Sequence, residues 1–149
     1  MSRFLALFTF ALLLGGLLIS GCGDSSDADP VLLGEAAYVK RATAICEGTE
    51  KKELEGAIDY SKEHPSAKAV EMVEPVLLPL LERQGEQMRA LGVPSGNEAA
   101  VESMMEEFEA ALEESKENPQ SVAGASTNPF KEYDRLAKEA DLVACSHVP

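Results

Sequence analysis

Apolar side chains three and four residues apart recur along this chain in four runs, and proline or glycine marks where runs end. That spacing keeps one face of an α-helix apolar, so the pattern restricts the chain to packed helices. From Glu35 to about Ser61 the inward set is Tyr38, Val39, Ala42, Ile45, Cys46, Leu54, Ala57 and Ile58. The turn at Pro65 ends this run, because residues before proline avoid the α region. A second run, Ser66 to Leu91, turns Val70, Val73, Leu77, Leu80, Leu81, Gln84, Met88 and Leu91 inward. Pro75 and Pro79 each remove a backbone donor inside it, which predicts a kink or a restart. Gly92 followed by Pro94 is the usual order of a helix stop.

Ser95 to Glu98 has the S-x-x-E spacing of a capping box and predicts the start of a third helix. It runs to about Asn118, with Val101, Met104, Met105, Phe108, Ala111 and Leu112 on one side. The other side carries Glu98, Glu102, Glu106, Glu107, Glu109, Glu113, Glu114 and Glu117 against Lys116 alone. Residues 118–129 hold several breakers and no periodicity, so they predict a loop. Asn128 then caps a last helix with Pro129 at its first position, and Phe130, Tyr133, Leu136, Ala137 and Ala140 face inward. No strand pattern intervenes. The expected fold is all-α, a four-helix bundle over residues 34–149.

The segment before the bundle follows different rules. Arg3 gives a positive start, and Phe4 to Leu18 is apolar apart from Thr9 and two glycines. A membrane-spanning helix needs about 20 apolar residues; this shorter run matches a secretory signal peptide. Ile19-Ser20-Gly21-Cys22 resembles the bacterial lipobox. That resemblance implies a diacylglycerol on the Cys22 thiol, cleavage before Cys22, and acylation of the new amino group, with palmitate among the expected chains. The competing reading is an ordinary signal peptide with a chance cysteine near its end. Residues 1–21 are then the signal peptide, and 22–33 the anchor cysteine and a short polar tether. The expected location is the cell membrane, lipid-anchored on its extracytoplasmic face, since two or three acyl chains hold stably where one holds marginally.

Charge narrows the partners. The chain has 13 basic and 26 acidic residues, and loss of Arg3 with the signal leaves a net charge near −14. Nucleic acid and anionic lipid surfaces suit such a chain poorly. The candidate partners are the membrane through the N-terminal lipid, a basic protein, or a small ligand. With Cys22 assigned to lipid, Cys46 and Cys145 remain as an even pair in an oxidising compartment. A bond between them would close a loop of about 100 residues, on the order of 4–5 kcal/mol in the chain-entropy model. The alternatives are two free thiols or a metal pair, although His147 alone stands near Cys145.

Few residues offer catalysis. The chain holds two histidines, His64 and His147, and no zinc-protease, C-x-x-C, haem-attachment, phosphate-loop or G-x-S-x-G motif. The glutamates of the third helix form a solvated stripe, where acid–base work needs a carboxylate in a cleft with a shifted pKa. That stripe could bind divalent cations weakly or meet a basic partner. Met72, Met88, Met104 and Met105 at helical spacing read as core filler rather than copper ligands. Asp24, Asp27 and Asp29 lack the glycine and bidentate glutamate of a calcium loop. No catalytic residue, metal site or cofactor is assigned, and the expectation is a non-enzymatic envelope domain with an interaction or structural role. The alternative is a binding lipoprotein holding a small apolar ligand or a cation between helices, most naturally beside the proline-broken second helix.

Tyr38 to Cys46 ("YVKRATAIC"), Met88 to Glu98 ("MRALGVPSGNE") and Asn128 to Cys145 ("NPFKEYDRLAKEADLVAC") together resemble a group of small exported actinobacterial proteins. Many of that group are lipoproteins, with an early A-x-x-I-C helix and a terminal L-x-x-C. The resemblance covers most of residues 35–146. It implies the helical fold and the Cys46–Cys145 pairing, and it implies no activity. Glycine commonly precedes the final L-x-x-C in that group, where it allows a left-handed turn; Asp141 stands there in this chain.

Overall fold

The computed structural model describes residues 33–123 and 128–146. The signal segment, Cys22, the tether as far as Leu32, residues 124–127 and the end of the chain with His147 lie outside the described residues. Helix α1 spans Glu35–Glu63, α2 Leu78–Ala90, α3 Glu98–Glu117, α4 Pro119–Ala123 and α5 Lys131–Glu139. A 3₁₀ turn, Ala69–Met72, and a π turn, Val73–Leu77, lead into α2, and a 3₁₀ turn, Val143–Cys145, follows α5. Among the described residues no strand forms, and the fold is all-α as the periodicity predicts. An isolated bridge joins Gly34 to Ser95.

The core is built where the apolar stripes cross. Tyr38, Ala42 and Cys46 of α1 meet Leu81 and Met88 of α2, and Val101, Met104, Phe108 and Leu112 of α3. Phe108, Phe130 and Tyr133 form an aromatic cluster, with Phe108 5.0 Å from Tyr133 and 5.8 Å from Phe130 between ring centroids. Offset and edge-on pairs of this kind add about 0.5–1.5 kcal/mol beyond their buried area. Three of the five aromatic residues after Cys22 therefore gather at one point between α3 and α5.

Several details depart from the pattern-based expectations. Leu54 and Ile58 keep the inward spacing yet are 64% and 47% exposed. The first half of α1 carries its buried residues, Tyr38, Ala42, Cys46 and Thr49, while the second half lies against the π turn at Gly56 and leaves the stripe of Leu54 and Ile58 open. The second run, by contrast, restarts where the two prolines predict a kink or a restart: regular α-helix begins only at Leu78. Pro75 and Pro79 lack the N–H an α-turn needs, and the backbone widens so that Leu78 N–H reaches the Val73 carbonyl.

The predicted capping box does not form. Asn97 is the residue before α3, Ser95 N–H donates to the Leu33 carbonyl at 3.0 Å, and Glu98 accepts from Gly96 N–H at 2.9 Å. Ser95 is drawn away by the chain entering α1. Part of the predicted loop is helical instead: Pro119 opens α4, and the Ser121 hydroxyl donates to the Asn118 carbonyl at 2.7 Å. At the last helix, Asn128 accepts from Phe130 N–H at 2.9 Å, and regular α-geometry begins at Lys131 rather than at Pro129.

The closing turn explains how the carboxyl end returns to α1. Asp141 has φ 58°, a left-handed conformation that aspartate tolerates better than most residues. Leu142 N–H reaches the Ala137 carbonyl at 2.8 Å and Asp141 N–H the Lys138 carbonyl at 3.3 Å. This is the paired-bond ending in which a left-handed residue reverses the chain. Leu142 and Ala137, at the two ends of the 2.8 Å bond, are fully buried.

Candidate functional site

The two cysteines singled out in the sequence are joined. Cys46 and Cys145 form a disulfide with sulfurs 2.03 Å apart and Cα atoms 5.0 Å apart. Both are buried, so the bond is a clamp between the middle of α1 and the terminal turn rather than a surface thiol pair. Cys22, the proposed lipidation site, lies outside the described residues.

The acidic face of α3 is exposed as expected, and partly tied into the bundle. Arg89 of α2 pairs with Glu109 at 2.6 Å, and Lys116 bridges Glu113 at 2.8 Å and Glu82 of α2 at 3.0 Å. The Gly96 N–H beside Glu98 holds its carboxyl below the usual range. Among the described residues no group of three His, Cys, Asp or Glu side chains is placed to hold a metal ion. His64 stacks on Tyr60 with ring centroids 4.2 Å apart at the exposed end of α1. Met88 and Met104 are buried in the core, and Met105 packs against it.

Two buried tyrosines are polar features that the periodicity does not separate from filler. Burial pushes the Tyr38 hydroxyl up to about 12 and raises that of Tyr133 further. Tyr133 receives a long hydrogen bond from the Gln84 amide at 3.5 Å, while the Tyr38 hydroxyl meets no hydrogen-bonding partner among the described residues. Both rings stay neutral at physiological pH, and neither borders either of the two hollows described next.

Among the described residues, an apolar cleft of about 290 Å³ is the feature best suited to hold something. Its walls are Glu53 and Ala57 of α1, Ala69 and Met72 of the 3₁₀ turn, and Val73, Val76 and Leu77 of the π turn. Val122 and Ala123 of α4 complete it. Gly56 allows this arrangement: a Cβ there would stand 2.7 Å from Val76 Cγ1, so glycine lets the π turn lie close against α1. A second hollow of about 270 Å³ lies between Val70, Glu71 and Glu74 and the first residues of α4, Pro119 and Gln120.

The sequence points to this region only through Pro75 and Pro79, which break the helix that would otherwise fill the seam. Val122 and Ala123 carry no periodic signal and sit where a loop is expected. Among the described residues no helix is long and apolar enough to cross a membrane. Comparison with protein-family models, with curated proteins and with solved structures finds no match to this chain.

Proposed function

We propose that this chain is a lipid-anchored, non-enzymatic domain on the extracytoplasmic face of the cell membrane, and that its work is to bind a small apolar ligand. The cleft between α1, the broken segment 69–77 and α4 carries this reading. Its described lining is aliphatic apart from Glu53, and its size lies at the lower edge of ligand pockets, roughly 300–1,000 Å³. Burying aliphatic surface of a ligand there is favourable by about 25 cal/mol per Å² of apolar area. The non-enzymatic reading rests on the sequence, whose two histidines and missing motifs supply little catalytic material. The anchor rests on the Ile19–Cys22 motif and the polar tether behind it.

Two measurements test this. The full chain, held in lipid nanodiscs, is irradiated with a neutral photoreactive alkyl alcohol, and labelled peptides are mapped by mass spectrometry. Label should fall on the walls of the cleft, and Ala69→Phe, which fills the mouth from an exposed position, should reduce it about tenfold, the factor expected when roughly 1.4 kcal/mol of binding is lost. Undiminished labelling in that variant would remove the cleft from the proposal. For the anchor, a metabolically supplied fatty-acid analogue should mark the wild type and leave Cys22→Ser unmarked. Equal incorporation in both would end the lipoprotein reading.

A further inference from the structure

The close approach of the broken segment to α1 sets what the cleft can hold. We infer that the cleft takes a single unbranched alkyl chain of about ten carbons, and that Val76, packed on Gly56, is the end wall that sets this length. This deepens the binding reading above and rests on it.

Size and lining decide the class. A methylene needs about as much room as a water molecule in the liquid, roughly 30 Å³. A cleft of about 290 Å³ therefore holds about ten of them, and a fused four-ring skeleton exceeds it by the same measure. Ala57, Met72, Val73, Val76 and Leu77 present only aliphatic and thioether surface. Among the described lining no aromatic ring offers a stacking face, and no amide or hydroxyl side chain orients a polar ring. Glu53, the charged residue of that lining, already has a partner within the chain and selects no headgroup. A straight chain follows such walls by rotation about its own C–C bonds, and methionine adapts to its shape.

The length limit follows from one contact. Val76 lines the cleft, and a Cβ on Gly56 would stand 2.7 Å from its Cγ1. Gly56 itself is not among the described lining. Val76 therefore stands between the cleft and the α1 backbone, and the space between the two segments closes where it meets Gly56. The wall is stiff. Valine carries two heavy atoms on Cβ, which restricts its χ1. Pro75 before it and Pro79 after it each hold φ fixed, so the backbone carrying Val76 has little freedom to retreat. At the other end Ala69 is exposed, which leaves the mouth open. A chain entering past Ala69 gains apolar contact with each methylene until it reaches Val76, and any further carbons stay outside.

The test uses neutral diazirine-bearing alkyl alcohols of about six to about fourteen carbons. The full chain is held in nanodiscs, and dialysis keeps the free aqueous concentration of every probe equal. Labelling of the cleft peptides, read well below saturation, should rise about fourfold per methylene, the gain for burying one CH₂. It should level off near about ten carbons, while labelling of the nanodisc lipid goes on rising. Val76→Ala removes two methyl groups from the end wall and should move the break up by about two carbons. Val76→Ile adds a methylene for which Gly56 leaves no room on its side, and should move the break down by about one. An unbroken rise in the wild type, or the same break in the lipid, overturns the length limit and leaves the cleft a binding site. An unmoved break in either folded variant overturns the assignment of Val76. If Val76→Ala fails to fold, Val76→Ile and the break in the native chain decide. Absence of cleft labelling by every probe overturns the binding reading itself.

Discussion

Replacing Cys46 and Cys145 together by alanine should lower the unfolding free energy by about 4–5 kcal/mol. The bond joins residues 99 apart, so in the unfolded chain it forbids most of the conformations that a free loop of that length would explore. In the folded chain it fastens the terminal turn to α1 at a point where both sulfurs are already buried. For a domain of this size the loss corresponds to a fall in Tm of roughly 15 °C. Urea denaturation of the oxidised protein and the double variant measures it directly, because the slope reports the surface exposed and the midpoint the stability. A difference under about 1 kcal/mol would mean that the denatured chain retains enough structure to make the cross-link redundant. With α1 and the terminal turn released from one another, the first unfolding step should be detachment of residues 142–146. Hydrogen exchange would show it as early loss of protection at Leu142 and Cys145.

Truncating Phe108 to alanine should cost about 3–5 kcal/mol, the range for large aromatic side chains deleted from a close-packed core. Its ring is 1% exposed and stands at the meeting point of Phe130 and Tyr133. It also presses on α2 where Gly85 leaves room: a Cβ on Gly85 would lie 2.9 Å from Phe108 Cε1. The space left by truncation is therefore bounded by two helix backbones and two other rings, which limits collapse into it. Leu54→Ala is the matching control. That residue is 64% exposed, and its truncation should change stability by no more than about 0.5 kcal/mol. If both substitutions cost the same, the outer half of α1 is covered after all and the division of the helix described above is wrong.

These two predictions also mark how far the residue pattern alone reaches. Period and breakers place α1, α3 and α5 to within a few residues, because burial of one face leaves a local signature in the spacing of apolar side chains. The pairing of Cys46 with Cys145 is legible by counting, once Cys22 is given to lipid. The gathering of Phe108, Phe130 and Tyr133 is legible only as three inward positions, and their meeting depends on how α5 crosses α3. Asp141 illustrates a further limit. The position demands a left-handed residue, the amino acid there is not glycine, and the turn forms because Leu142 and Asp141 close two backbone bonds onto Ala137 and Lys138.

What the amino-acid order determined by itself was local: helix, breaker, charge, and the number of cysteines left to pair. Spacing along a helix says which face is apolar, and it cannot say whether a neighbour exists to cover it. That is why Leu54 and Ile58 look identical to Tyr38 and Ala42 in the pattern, and end on opposite sides of the solvent boundary. The tertiary structure alone decided the cleft. It arises because Pro75 and Pro79 deny the backbone its regular turn, Gly56 lets the widened segment lie against α1, and five residues of an unpatterned loop coil into α4 to close the third wall. The breakers are local, but the approaches that make a cleft of them, Gly56 to Val76 and α4 beside residues 69–77, join segments distant in the chain, and such approaches leave no periodic trace in the segments themselves.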